Sequence, residues 1–478
     1  MRAGFVIFLA VAAAVLTGCV VGPNYRRPAV PAPPTFRGQT AAESASIADL
    51  PWWSVFRDDT LQGLVRTALA NNPDLRIAAA RVEQARQLAV QAHSEYLPAV
   101  IYEGGISVGR NESLGSPALT NVPQQGSVMG LLQATWEADL WGRIRRSNEY
   151  ATSVYLATEQ GRRGVLLALV SNVAGDYFQL LDLDLRLDIA RRTTASFQGT
   201  LDIFQQRLDG GTASRLETSR ARAALASTAA AIPELERQIA LKENEIRVLL
   251  GSPPGPIPRK GTLLEQTLPP EVPAGVPSTL LERRPDILEA EMNVRAANAR
   301  IGIAQANFFP RIGLTALLGR ISSPLDDFTS GRSNLWSTAA GLGGPIYEGR
   351  SLVAQKRQAI AAWQEAQSTY QQTVLGAFRD VSNALITREK LEAIRARQIE
   401  AVSAYEEAVD VSQQRYQAGK SGYFEVLEAQ QDLFPAQNAL ADTELERRLA
   451  IVQLYEALGG GWNLPDAQWS AAPASAHP

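Results

Sequence analysis

Histidine and cysteine are nearly absent from this 478-residue chain, which holds two histidines, His93 and His477, and one cysteine, Cys19. A His/Cys metal cage and a histidine-based catalytic triad are therefore nearly excluded. No Gly-x-Ser-x-Gly nucleophile elbow occurs, and the Asp and Glu residues are scattered on helix faces without a convergent acid–base set. The charge balance also lacks a sign: 46 Lys+Arg against 49 Asp+Glu leave −3, too little positive field to argue for nucleic acid. Proline is missing from residues 144–208 and 350–418, and the second stretch carries one glycine, Gly376. What is present is Ala, Leu, Gln and Arg, with 45% hydrophobic residues, a composition suited to long amphipathic helices. The length alone would suggest about three compact domains. The pattern along the chain argues for a different division, and against an enzyme.

Residues 1–18 read as a secretion signal. Arg2 supplies the positive start and residues 5–16 form an apolar run of about twelve residues, too short to span a bilayer well. The run ends in Leu16-Thr17-Gly18-Cys19, which resembles a bacterial lipobox. Cleavage there would leave Cys19 first in the mature chain, carrying a covalent diacylglycerol and an acyl chain that hold it to a membrane. Val20 in place of Asp after the cysteine points to the outer membrane by analogy with sorting rules. An ordinary cleaved signal with a chance cysteine is the alternative. The proline-rich segment that follows predicts a lipidated tether over 19–50 lying along the body, and residues 462–478 predict a C-terminal tail whose Pro/Ala/Ser-rich part around His477 reads as disordered.

The remainder repeats itself. Asn72-Pro73-Asp74 matches Arg284-Pro285-Asp286, and Tyr96-Leu97-Pro98 matches Phe308-Phe309-Pro310, both 212 residues apart. Gly142-Arg143 matches Gly349-Arg350; Arg207-Leu208-Asp209-Gly210-Gly211 matches Arg415-Tyr416-Gln417-Ala418-Gly419; Leu250-Gly251 matches Leu458-Gly459. Five matches in one order predict two tandem units, 51–251 and 278–461, joined by a Pro/Gly-rich linker over 252–277. Each unit predicts a helix opened by proline in its first turn, a pair of strands (about 97–141 and 310–347), a very long helix (144–208 and 350–418), a glycine turn and a returning helix. At 1.5 Å per residue the long helices would each be about 100 Å. Val374, Phe378, Val381 and Leu385, then Leu391, Ile394, Val402, Tyr405, Val409 and Tyr416, give the spacings of three and four found in coiled coils.

Between the helices the period changes to two. Val128, Gly130, Leu132, Ala134, Trp136 and Ala138 alternate with Met129, Leu131, Gln133, Thr135 and Glu137; Ile312, Leu314, Ala316 and Leu318 alternate with Gly313, Thr315 and Leu317. The first strand alternates from Val100, and the fourth, 335–346, is Gly- and Ala-rich and the weakest. A transmembrane barrel and a soluble sheet with one face on helices both show such alternation. Four strands cannot close a bacterial barrel, whose smallest members use eight, so in a membrane several chains would share one barrel. Trp136, Trp141, Trp336 and Tyr347 could supply its interfacial aromatics.

The lipobox, Val21-Gly22-Pro23-Asn24-Tyr25-Arg26-Arg27-Pro28, Trp52-Trp53-Ser54-Val55-Phe56-Arg57-Asp58, the paired Asn-Pro-Asp and Arg-Pro-Asp helix starts, Arg415 to Gly419 and Leu458-Gly459-Gly460-Gly461-Trp462 together resemble the TolC family. More narrowly they resemble its OprM/NodT branch, the outer-membrane lipoproteins of resistance-nodulation-division (RND) efflux systems. The resemblance implies a mainly α fold with a transmembrane β part. In it a homotrimer forms a twelve-stranded β-barrel, four strands per chain, continuous with a long α-helical barrel in the periplasm. It further implies an exit duct for small molecules, served by a periplasmic membrane-fusion adaptor and an inner-membrane RND pump, with no catalysis and no cofactor beyond the lipid on Cys19.

Carried over by position, the family's tip tyrosine falls on Tyr416, its constricting leucine on Phe424 and its constricting aspartate on Glu428, a periplasmic gate. The arginine beside the tyrosine falls on Gln417, which removes the charge of that latch. A solvated carboxylate at Glu428 and helix packing at Phe424 are the plainer readings. The turns with Gly210, Gly211 and Thr212, and with Gly419, Lys420, Ser421 and Gly422, are the expected adaptor-docking points. A periplasmic coiled-coil scaffold or adhesin lipoprotein without a pore is the competing function. The lipid expectation has a direct measurement: radiolabelled palmitate is incorporated by the wild type and not by Cys19→Ala, and equal labelling of both would contradict it.

Overall fold

The computed structural model describes residues 20–39, 45–109, 125–212, 214–267, 273–322, 325–330 and 334–469. Cys19, the signal, Ala213 and the residues after Trp469 lie outside that description. Eight helices longer than ten residues occur in it: α1 (Asp59–Asn71), α2 (Pro73–Ser94), α3 (Arg143–Asp209), α4 (Arg215–Ala229), α5 (Ala231–Leu249), α6 (Pro285–Ala306), α7 (Ser351–Gln417) and α8 (Tyr423–Ala457). Four strands, β1 (Ala99–Gly109), β2 (Gln125–Ala138), β3 (Arg311–Ser322) and β4 (Asn334–Gly343), make one antiparallel sheet in the order β1-β2-β3-β4. The two hairpins expected from the sequence are thus halves of a single sheet, joined through β2 and β3.

The chain forms two compact units, and α3 and α7, 67 residues each, contribute to both. At 1.5 Å per residue these helices are about 100 Å long.

The first unit holds the sheet with residues 20–29 and the adjoining ends of α2, α3, α6 and α7. Register aligns the alternation of all four strands. Tyr102, Leu132, Leu318 and Trp336 stand in one row across the sheet, and Val100, Ala134, Ala316 and Thr338 in another. Trp136 pairs with Leu314, and Leu314 with Ala340. Every large apolar side chain in the first row is exposed, from 51% at Leu132 to 86% at Tyr102, so the chain leaves this stretch of the sheet's face uncovered. The opposite face carries Glu103, Gln133, Thr135, Glu137, Thr315 and Ser337 among its apolar residues. Between β3 and β4 a short helix, Leu325–Ser330, sets Phe328 over Gly130, where a Cβ would come within 3.1 Å of the ring.

Helix α3 begins where Asp139 accepts the backbone N–H groups of Ile144 and Arg145 at 3.1 and 3.0 Å, meeting donors that a helix start leaves free. Residues 20–29 form an ordered strap that lies on the body, as the sequence suggests, and its partners are specific. The Val21 N–H donates to the Trp141 carbonyl, Arg146 donates to Asn24 Oδ1 at 2.9 Å, and Asn298 donates to the Pro23 carbonyl at 2.9 Å. Tyr25 donates to Glu291, which also pairs with Arg27 at 2.6 Å. Gly22, at φ +93°, presses on Gly302 so closely that a Cβ would sit 2.5 Å from its Cα.

The second unit packs the lower parts of α3 and α7 with α1, α4, α5 and α8. Its core runs along α3 through Val170, Val173, Ala174, Tyr177 and Leu180, each fully buried. Asp58 caps α1 by accepting the Leu61 N–H at 2.8 Å and accepts from Gln266 at 2.7 Å. Trp52 is fully buried and donates to the Trp469 carbonyl, while Trp462 donates to Asp49. Residues 462–469 are therefore tied to the segment before α1: the Trp469 carbonyl accepts from buried Trp52 and the Trp462 indole donates to Asp49 at the surface. The returning helix of the first half also breaks at Ala230, three residues before Pro233, whereas α8 carries Pro435 inside one continuous helix.

The same joints appear at the positions the sequence pairs. Asn72 donates to the Leu249 carbonyl at 2.9 Å, and Arg284 to the Ala457 carbonyl at 3.0 Å. Gly251 and Gly459, at φ +64° and +73°, end α5 and α8 in left-handed caps, each against the backbone just before its Asn72 or Arg284. A Cβ on Gly251 would lie 2.5 Å from the Asn71 carbonyl oxygen. Gly251→Ala should accordingly cost about 1–3 kcal/mol or more. Gly376→Ala, inside α7 with no close neighbour, should gain up to about 1 kcal/mol. Thermal unfolding followed by circular dichroism reads both, and shifts of the same sign would contradict this account.

Candidate functional site

The candidate site lies in the second unit, where two helix pairs turn back. Both turns are built alike. Gly211, at φ +74°, donates to the Leu208 carbonyl and Thr212 to that of Arg207; Gly419, at +68°, donates to Tyr416 and Lys420 to Arg415. Only a residue free to adopt the left-handed conformation closes such a turn cheaply, so the glycines in the two matching motifs set the geometry. Ser214 then starts α4 with a capping box, its hydroxyl accepting from Glu217 N–H while Glu217 accepts from Ser214 N–H. Gly210, Gly211, Thr212, Gly419, Lys420 and Gly422 are all exposed at these turns, whereas the Ser421 hydroxyl is buried without a partner.

Behind the turns, Phe197, Phe204, Ala221, Ala224, Tyr423, Val426 and Leu427 form a buried cluster that joins α3 and α4 to α8. Tyr416 packs on it, with ring centroids 5.8 Å from Phe204 and 5.9 Å from Tyr423. Its hydroxyl accepts a hydrogen bond from Arg207, whose guanidinium also stands 4.6 Å over the ring. Burial pushes the Tyr416 phenol up although Arg207 opposes the shift, and burial raises Tyr423 well beyond the tyrosine range. Both phenols stay neutral at cellular pH, so the Arg207 guanidinium faces a neutral ring.

Phe424 and Glu428, four residues apart, share the exposed side of α8, opposite Val426, Leu427 and Gln430. Phe424 is 58% exposed and is touched on its face by the Arg220 guanidinium at 5.7 Å. It is therefore not packed within this chain. Glu428 is likewise exposed.

The structure thus brings Tyr416 into contact with the two-pair core and leaves Phe424 and Glu428 on an open face. The cation missing at Gln417 is supplied across the gap by Arg207. The sequence reading sought it on the tyrosine's own helix and missed it, although Arg207 is the counterpart of Arg415 in the repeated turn motif. Along α7 the seam divides: Val374, Phe378, Val381, Leu385 and Leu391 are buried in the chain, Ile394 and Tyr405 are 44% and 37% exposed, and Tyr416 at the end packs on the turn cluster. Among the described residues no group of three His, Cys, Asp or Glu side chains could share a metal ion.

The model of a family described as outer membrane efflux protein matches residues 64–252 and again 276–460. A solvent efflux pump outer membrane protein, SrpC of Pseudomonas putida, is 36% identical, covering 94% of this chain and 97% of its own length. The cation efflux system protein CusC of Escherichia coli strain CFT073 is 34% identical, with 94% and 97% covered. Among solved structures, the outer-membrane channel OprN superposes with a TM-score of 0.86 at 30% identity, over 93% of this chain and all of that one. The chain belongs to the outer membrane efflux protein family and is an outer-membrane component of an efflux system.

Proposed function

We propose that three copies of this chain form the exit duct of a tripartite efflux system, each contributing four strands to a twelve-stranded barrel and its long helices to a periplasmic helical barrel. The observation that carries the reading is the sheet itself: an exposed apolar face with two unpaired edges, β1 and β4. In hydrocarbon every backbone group needs a partner, so the edges must meet neighbouring copies. Two copies would reach the eight-strand minimum; the family resemblance favours three. The half-exposed stripe on lower α7 supports the same association, since a seam spaced in threes and fours is left for another chain to fill. The matching joints at Asn72 and Arg284, with one family model fitting both halves, support a tandem duplication.

The duct is passive. Energy comes from an inner-membrane RND pump, coupled through a periplasmic adaptor that docks on the turns at Gly210–Thr212 and Gly419–Gly422. A lipid on Cys19 anchors the strap, whose ordered contacts begin two residues later at Val21. Phe424 and Glu428 form the closed gate: three-fold symmetry turns one exposed phenyl and one exposed carboxylate per chain into a hydrophobic ring and a cation-attracting ring. Tyr416, held by Arg207, fixes the helix pair that carries them. Relatives of similar identity are named for solvents and for cations, so the cargo is assigned here only as small molecules.

Reconstitution in planar bilayers tests pore and gate together. The wild type should form channels of low conductance, and Phe424→Ala and Glu428→Ala should each raise it. Conductance equal to wild type in both variants would remove the gate, and absence of channels would remove the duct.

A further inference from the structure

A groove of about 390 Å³ lies between α3, α5 and α8 in the second unit. Its floor holds Asp182, whose side chain is 4% exposed. Asp182 Oδ2 accepts from Arg186 Nε at 2.7 Å, while Oδ1 is buried with no donor. Arg186 turns its other nitrogen to Asp442. On the α5 side, Lys242 binds Asp176 at 3.1 Å and also Glu245, which is 63% exposed at the rim. The lining thus holds two carboxylates, Asp182 and Glu245, and two cations, Arg186 and Lys242, and both cations are also engaged by carboxylates outside the lining, Asp442 and Asp176. Leu183, Leu241 and Leu445 form the apolar wall, with Leu241 54% exposed.

The groove has a defined outlook. Arg259 of the segment joining the two halves covers the other side of these helices, binding Asp184 at 2.5 Å and Glu243 at 2.6 Å. Asp182 and Glu245 each stand two residues from those contacts, about 200° around their helices. If the joining segment faces the outer wall of the proposed helical barrel, the groove opens inward, to the conduit.

We propose that this groove is a binding site for organic cations with an apolar body, whose ammonium donates to Asp182 Oδ1 and is drawn by Glu245 while the body lies on Leu241 and Leu445. The direction of opening rests on the duct reading; the chemistry of the groove does not. Burial pushes the carboxyls of Asp182 and Asp176 up, which marks their charged forms as short of positive charge. An entering ammonium supplies it, and an uncharged molecule of the same shape cannot.

Isothermal titration of the full-length protein in nanodiscs with 1-naphthylmethylammonium, and with 1-naphthylmethanol as the neutral match, tests the site. The ammonium should bind saturably, one per chain, and the alcohol should not. Asp182→Asn should weaken binding about ten-fold or more, as expected for loss of a charged hydrogen bond. Leu241→Lys, at an exposed position that leaves the fold intact, should abolish it by placing a cation in the mouth. Absent binding, equal binding of the alcohol, or unchanged affinity in Leu241→Lys would overturn the proposal. A protein that conducts in a bilayer but fails to bind overturns this site alone; one that binds but does not conduct overturns the duct and leaves the site.

Discussion

Unpaired backbone groups have no partner in hydrocarbon, and a four-stranded sheet has two edges full of them. This constraint organises the protein. The rows from Tyr102 to Trp336 and from Trp136 to Ala340 give the sheet an apolar face that suits lipid, while β1 and β4 remain open. A chain of the outer membrane efflux family solves the problem by association, so its fold is complete only as an assembly in the proposed reading. The half-exposed seam of lower α7 is the same statement made by helices: apolar residues at coiled-coil spacing whose partner is not in this chain.

The joints that hold the long helices depend on backbone freedom. Left-handed glycines end α3, α5, α7 and α8; at Gly251 a neighbouring backbone approaches too closely for any Cβ, and at Gly459 it leaves only a tight fit. Gly22 and Gly302 do the same for the strap. The repeated glycine motifs are therefore places where two chain segments touch or reverse, and the side chains that fill helix faces are freer to vary. The mechanical parts of the proposed gate follow from one such reversal, since Gly419 places Tyr416 beside Arg207, and α8 then projects Phe424 and Glu428 on its open side.

Much of this was legible in the sequence because it is periodic or repeated. Strand alternation at Val128 to Ala138 gives the two faces; the absence of proline gives 67-residue helices to within a residue or so at each end; the pairing of Arg207-Leu208-Asp209-Gly210-Gly211 with Arg415-Tyr416-Gln417-Ala418-Gly419 gives two like turns. What escaped was contact between distant segments. Nothing local announces that Asn24 is held by Arg146, or that Trp52 needs the Trp469 carbonyl, so the proline-rich strap read as a tether along the body without named partners and residues 462–469 read as part of a tail. The Arg207–Tyr416 contact escaped for the same reason: the residue types stand 209 positions apart, and proximity in sequence led to Gln417 instead. The Asp182 groove is more hidden still, since its residues come from three helices.

The central claim is that copies of this chain close one another's sheets, three to a barrel. Native mass spectrometry of the full-length protein released from membranes in mild detergent tests it most directly. The account predicts a single assembly of three times the chain mass; a stable monomer or dimer as the membrane-extracted species would contradict it.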